Sequence, residues 1–220
     1  MLHYLQNLFQ ALDFSSLADA VLRVAAVFLC LTVHETCHGL VALALGDPTA
    51  KSMHRLSLNP LRHIDWLGLA LMFVAGFGWA KPVPVNPSYF RKPKQGMAIT
   101  ALAGPISNIL LAVLFLWIGK VIYLYAPYSD GMNTFFDWCL FTVAPMSVGM
   151  GLFNLIPLPP LDGSKVLAMF LPNSVYEKLM RYEYYGLMLL LILNWLHFGG
   201  NIFQKTIYGV YEALFHIFFA

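Results

Sequence analysis

The chain has 220 residues, of which 59% are hydrophobic and only 11% are charged. Soluble domains carry about 25% charged residues, and the mean hydropathy here is +0.67, so the composition predicts a membrane protein and argues against an ordinary soluble enzyme. The formal net charge of +2 provides no basic surface for nucleic acid. The three cysteines lie in apolar segments and do not form the pattern of a disulfide framework.

The apolar segments predict an all-α polytopic membrane protein, since a spanning helix needs about 20 apolar residues. The long runs are 19–45, 97–125 and 138–161, and the shorter runs are 66–80, 184–198 and 202–219. We therefore predict a bundle of about four transmembrane helices in a single membrane-embedded domain, 1–220. The first 14 residues, and 202–219 with its scattered polar positions, are typical of helices that lie in the membrane interface.

Basic residues on both sides of 66–80 indicate how the chain crosses the membrane. Those before it are Lys51, Arg55 and Arg62, and those after it are Lys81, Arg91, Lys92 and Lys94. Both groups belong in the cytoplasm by the positive-inside rule. The segment 66–80 must then enter the membrane and return as a re-entrant segment, and 126–134 lies on the opposite side.

A possible metal site lies in the first long run, where His34 and His38 are four residues apart. On a helix both imidazoles project from one face, with Glu35 beside them. This spacing is typical of hydrolases in which two histidines bind zinc and the glutamate takes a proton from water. The pattern also arises by chance. However, a charged side chain at mid-bilayer costs about 2.5–3.5 kcal/mol, which favours a functional role.

A hydrolytic zinc site uses three protein ligands, so one more is needed. Asp162 is the only carboxylate between Asp137 and Glu177. The prolines at 157, 159 and 160 cannot continue a helix, and they leave the chain free to aim Asp162 inward. The same aspartate is placed to cap a short helix over 163–171, and both roles are compatible.

Four motifs together resemble the site-2 proteases, which are intramembrane zinc metalloproteases. They are HETCH (34–38), GWAKPVPVNP (78–87), GPISN (104–108) and NLIPLPPLDG (154–163). The resemblance implies one zinc ion held by His34, His38 and Asp162, with Glu35 as the catalytic base. It also implies a multi-pass protein of a prokaryotic cell membrane whose active site lies toward the cytoplasm.

The chain is similar to a minimal form of this family, since the PDZ and CBS domains of larger relatives have no counterpart in it. His54 stands where the family carries glycine. The charge pattern agrees with the implied depth of the site. His38 lies seven residues from Leu45, which the basic residues place in the cytoplasm, and that distance is about 10 Å along a helix.

Cleavage of a transmembrane segment requires that the segment unwind, because its amides are bonded within its own helix. A strand edge would pair with the unwound chain. Val83 and Val85 favour extended chain between prolines that suit an edge, so we predict a short β-like edge that binds substrate there; a plain linker is the alternative. Asn108 and Asn154 are predicted to position substrate or to stabilise the oxyanion, or else to bond neighbouring helices.

We therefore expect a zinc endopeptidase whose partners are transmembrane protein substrates and the lipid bilayer, with no nucleic acid and with its oligomeric state left open. The alternative is a non-proteolytic metal-binding membrane protein or a transporter. A transporter would place ionisable residues along a path through the membrane. Here they gather at one depth, which favours the enzyme.

Overall fold

The computed structural model describes residues 17–68, 80–172 and 200–219, together with isolated positions between 174 and 192. The helices are α1 (Leu17–Ala44), α2 (Thr49–Ser52), α3 (Pro93–Tyr125), α4 (Asp130–Asn154), α5 (Asp162–Ala168) and α6 (Gly200–Phe219). Short 3-10 turns cover Pro60–Arg62 and Pro87–Tyr89, and α4 contains a π-helical segment, Trp138–Val143. The predicted N-terminal helix, most of 66–80 and most of 184–198 lie outside the described residues.

Three of these helices, α1, α3 and α4, are long and apolar enough to cross a membrane. The prediction of a polytopic helical membrane protein is therefore confirmed, whereas the count of four spanning helices stays a prediction. The third span was predicted at 138–161 but lies at Asp130–Asn154. It begins early because the Ser129 side chain accepts a hydrogen bond from Met132 N and caps the helix. The predicted loop 126–134 is thus only 126–129.

The ends of the spans follow from local chemistry. Helix α1 ends where Gly46 adopts a φ of +104°, a left-handed conformation that glycine adopts without a steric penalty. Helix α3 begins with Pro93 at its first position, where the missing N–H has no helical partner to lose. Helix α4 ends at Asn154, shortly before the prolines that exclude further helix, and the chain then turns into α5.

Helix α3 is the centre of the bundle, with α1 packed on one side and α4 on another. The indole Nε1 of Trp138 donates to the carbonyl oxygen of Leu22 at 2.7 Å and joins α4 to α1. One cluster of buried apolar residues joins α3, α4 and α6: Ala112, Leu116, Cys139, Leu140, Ala144, Val148 and Ile207.

Helix α6 lies along the bundle and not across its end. Phe203 contacts Phe153 near the end of α4, whereas Phe219 contacts Tyr123 near the end of α3, with ring centroids 6.1 and 6.3 Å apart. The prediction of an in-plane helix over 202–219 does not describe this packing. Ile207 is buried in the cluster. The apolar face of α6, which was predicted to face lipid, therefore packs against the other helices.

The two ends of the predicted re-entrant segment lie side by side. Ile64 and Ala80 form an isolated antiparallel bridge, and Lys81 N donates to the carbonyl oxygen of His63 at 2.9 Å. The segment therefore leaves and returns at one place, while its entry into the membrane stays a prediction. Among the described residues no strand forms, so the predicted β-like edge is corrected to a single bridge followed by extended chain at 81–86.

Asp47 ties that extended chain to the end of α1. It is fully buried; Asn86 N donates to its Oδ2 at 2.7 Å, and both the N–H and the hydroxyl of Thr49 donate to its Oδ1. Burial disfavours the charged form, but these hydrogen bonds outweigh it and hold the pKa of Asp47 below its ordinary value. The ionised carboxylate thus fixes the position of residue 86 relative to α1.

His54 is the one described non-glycine residue with a positive φ, +54°, and it follows α2 at the position where glycine commonly ends a helix. Its side chain is exposed, so its strain has no compensating burial. We expect His54→Gly to raise the thermal melting temperature, because holding a non-glycine residue in the left-handed conformation costs about 1 kcal/mol of folding stability. Melting of the purified protein in detergent measures this.

The adjacent Met53 provides the control, since it is also exposed but has an ordinary φ of −88°. Met53→Gly should lower the melting temperature by adding freedom to the unfolded chain. Equal destabilisation by both glycine variants would contradict the assignment of strain to His54.

Candidate metal centre

Three side chains from two distant parts of the sequence meet between α1 and α5. The Nε2 atoms of His34 and His38 lie 3.0 Å apart. Asp162 Oδ2 lies 3.2 Å from the first nitrogen and 3.0 Å from the second. All three residues are buried, with exposed fractions of 4%, 8% and 8%. Among the described residues this is the group of histidine, cysteine and acidic side chains that could hold a metal ion.

The separations fit a zinc ion. Ligands about 2.0–2.1 Å from zinc in a tetrahedron lie about 3.3 Å from one another, close to the 3.0–3.2 Å found here. The set of two imidazoles and one carboxylate is also one that zinc hydrolases use. Cys30, one turn before His34, does not belong to the group. The residues present therefore fit the metal that the sequence predicts.

The main chain of α3 orients one of the imidazoles. His38 Nδ1 lies 2.7 Å from the carbonyl oxygen of Thr100. A carbonyl can only accept, so Nδ1 carries the proton and Nε2 presents its lone pair to the metal position. The Nδ1 of His34 is buried without a hydrogen-bond partner among the described residues, so the orientation of that ring depends on packing.

Asp162 occupies the first position of α5 and does not cap it. The residue before the helix is Leu161, and no side chain caps this end, so the predicted capping role is wrong. The carboxylate instead directs Oδ2 to the histidines, while Lys165 Nζ lies 3.7 Å from Oδ1. Lys165 thus engages the oxygen that is turned away from the metal position. A side chain at Gly163 would collide with the carbonyl of Leu155, so only glycine allows this close turn.

Gly104 of α3 lies directly against both imidazoles. A Cβ atom added there would stand 2.5 Å from Cε1 of His34 and 2.5 Å from Nε2 of His38. Real Cβ atoms do not approach ring atoms this closely, so any side chain would push the ligands apart. The sequence shows this glycine only as part of GPISN, and its role is visible once α1 and α3 are packed together.

Glu35, the predicted catalytic base, lies on α1 between the two histidines in sequence and is half-buried. Its Oε2 accepts a hydrogen bond from the backbone N–H of Val83 at 2.8 Å. This bond uses one carboxylate oxygen and leaves the other for chemistry. It also means that the Val83 N–H, which the edge prediction offered to a substrate, is bonded to Glu35 instead.

The remaining predicted site residues do not belong to the group that could hold the metal. Asn108 is fully buried on α3, one turn beyond Gly104, and its amide has no partner among the described residues. Asn154 donates from Nδ2 to the carbonyl oxygen of Met150 in its own helix at 3.0 Å. Val85 is half-buried in the extended chain. Substrate binding by these residues and by Val83 stays a prediction.

A methyl group at Gly104 tests how the ligands are held. We expect Gly104→Ala to weaken zinc binding by at least about tenfold, the lower end of what displacing an orienting group costs at such sites. Titration of the metal-free protein with zinc, in competition with a chelator, measures the change.

Gly209→Ala is the matched control, because Gly209 is also helical and a Cβ atom there meets nothing within 4 Å. It should bind zinc as the unmodified protein does. Wild-type zinc affinity in the Gly104→Ala protein would contradict the close contact.

Known relatives agree with this centre. The Bacillus subtilis protein named "Putative zinc metalloprotease YwhC" is 35% identical over 202 residues, which are 90% of this chain and 90% of the relative. Two proteins named "Putative zinc metalloprotease Rip2" are each 26% identical. The one from Mycolicibacterium smegmatis matches over 79% of this chain and 66% of its own length. The one from Mycobacterium tuberculosis matches over 90% and 74%.

No family model and no solved structure matches the chain. The identity to YwhC nevertheless extends over nearly the whole of both proteins. Three helices long and apolar enough to cross a membrane, and a buried cluster of two histidines and an aspartate, are consistent with a membrane zinc metalloprotease. The chain belongs to this family of zinc metalloproteases.

Proposed function

We propose that this membrane zinc metalloprotease is an intramembrane endopeptidase of the site-2 protease type, which hydrolyses peptide bonds in transmembrane segments of other proteins. The observation that carries the proposal is the position of the metal centre. His34 and His38 lie within a helix long and apolar enough to span a membrane, and Asp162 meets them just after another. A soluble protease does not need its metal ligands to lie within helices apolar enough to span a membrane.

The side of the membrane is proposed from charge. The loop after α1 and the chain that leads into α3 carry the basic residues, and the bridge between Ile64 and Ala80 brings both to one place. Cytoplasmic placement of this basic region follows from the positive-inside rule. His38 lies six residues before the end of α1, about 9 Å from it along the helix. The proposed site is therefore within the membrane and toward the cytoplasm.

The mechanism assigns one role to each group. Zinc held by His34, His38 and Asp162 would supply a Lewis acid, which makes water a nucleophile near neutral pH. Glu35 would accept the proton of the attacking water on the carboxylate oxygen that Val83 does not occupy, and would return it to the amide nitrogen that leaves. The Thr100 carbonyl would keep His38 in the tautomer that binds metal.

Glu35→Gln tests the proposed reaction. Glutamine keeps the size of the side chain and can still accept the Val83 N–H, but it cannot take a proton. We expect zinc content and folding to match the unmodified protein, while cleavage of a model transmembrane substrate in lipid vesicles falls by at least about 10²-fold. Metal analysis and gel-based cleavage kinetics are the measurements.

Glu212→Gln serves as control, since Glu212 is exposed on α6, far along the chain from the site. It should cleave at the normal rate. Normal cleavage by Glu35→Gln would show that another group takes the proton. Zinc binding without any cleavage by the unmodified protein would instead favour the non-proteolytic, metal-binding alternative.

A further inference from the structure

Arg55 is a buried arginine, 8% exposed, that the metal centre does not use. Burying a guanidinium is costly unless it is paired or fully hydrogen-bonded, yet no carboxylate among the described residues pairs with it. Its Nη2 instead donates to two successive backbone carbonyls, those of Lys81 at 2.6 Å and Pro82 at 3.3 Å. The arginine therefore holds the main chain at one point, just before Val83.

The carbonyl of Pro82 and the N–H of Val83 belong to the same peptide group. That group is planar, and its oxygen and hydrogen point in opposite directions. Arg55 bonds the oxygen, and Glu35 Oε2 accepts from the nitrogen at 2.8 Å. Fixing one end of the plane fixes the direction of the other, so Arg55 and Glu35 are connected through a single peptide group.

Other contacts of the extended chain cannot replace this one. Pro82 and Pro84 have no N–H, so they cannot join a ladder of backbone hydrogen bonds. The chain is otherwise held outside this point, by Lys81 N on the carbonyl of His63 and by Asn86 N on Asp47. The hydrogen bonds that hold the peptide group between residues 82 and 83 are therefore those of the arginine on one side and of the glutamate on the other.

We propose that Arg55 is a positioning residue for the reaction: it clamps the carbonyls of Lys81 and Pro82 so that the N–H of Val83 holds the Glu35 carboxylate in place for proton transfer. This inference rests on the proposed function, because it assumes that Glu35 is the base. It adds a residue whose charge, from sequence alone, indicated only the side of the membrane.

The test compares Arg55→Gln and Arg55→Lys with the unmodified protein, measuring zinc content, kcat and KM on the model transmembrane substrate. Misplacing a catalytic group by about 1 Å costs up to about 10²-fold in rate, so we expect Arg55→Gln to lower kcat by about 10- to 100-fold with little change in KM. Arg55→Lys keeps the charge and one set of donors and should lose less. Zinc content should not change, since Arg55 contacts none of the ligands.

Arg62→Gln is the matched control. Arg62 lies in the same loop and also donates to a backbone carbonyl, but its acceptor is His54 and not 81–83. It should leave kcat unchanged. A second readout is hydrogen exchange of a peptide that covers 80–86, measured by mass spectrometry: Arg55→Gln should speed exchange of this peptide, and Arg62→Gln should not.

The outcomes separate the two levels of the hypothesis. If the unmodified protein does not cleave, the proposed function fails, whatever the arginine variants do. If it cleaves and both Arg55 variants cleave with normal kcat, the positioning role is wrong. A rise in KM alone would assign Arg55 to substrate binding, and loss of zinc or of folding in both variants would assign it to the fold; either result overturns the proposal.

Discussion

Three atoms with lone pairs, two imidazole nitrogens and one carboxylate oxygen, meet within 3.2 Å of one another in a buried space. Such atoms repel unless a cation or a proton lies between them. The residues packed around these three atoms hold them close together. A glycine lets α3 approach the two rings, and the Thr100 carbonyl fixes the proton of His38 on the outer nitrogen. The prolines after α4 turn the chain so that α5 begins with its aspartate facing α1.

A second constraint arises because the proposed catalysis within the membrane needs backbone groups that are not hydrogen-bonded within helices. The bundle provides them in the extended chain at 81–86, where two prolines exclude regular pairing. Individual side chains hold this segment in place of a sheet: Arg55 on one side, Asp47 at its far end and Glu35 at its centre. The proposed catalytic base is thus also part of the scaffold. A change in the extended chain should alter the reaction even when the metal ligands are untouched.

The membrane spans and the three candidate ligands could be predicted from the sequence, because both depend on the order and spacing of residues along the chain. Apolar length predicts a span, a four-residue spacing places His34 and His38 on one face, and a lone carboxylate after prolines stands out. The contacts that support the ligands could not be predicted. The carbonyl of Thr100 has no side-chain signature, and the role of Gly104 depends on which helix packs against it. The packing of α6 could not be predicted either, because its scattered polar residues are also typical of a helix in the membrane interface. The charge of Arg55 predicted a side of the membrane, but its hydrogen bonds to the carbonyls of Lys81 and Pro82 depend on the folded chain and could not be predicted.

The central claim is that His34, His38 and Asp162 together hold one zinc ion inside the helical bundle. X-ray absorption at the zinc edge of the purified protein tests it most directly, because the method reports the atoms that surround the metal. We predict one zinc per chain with nitrogen and oxygen neighbours at about 2.0–2.2 Å and no sulfur. Loss of the imidazole signal in a His34→Ala, His38→Ala double variant would support the assignment. A sulfur neighbour at about 2.3 Å, which would bring a cysteine such as Cys30 into the site, or a protein that binds no zinc, would contradict it.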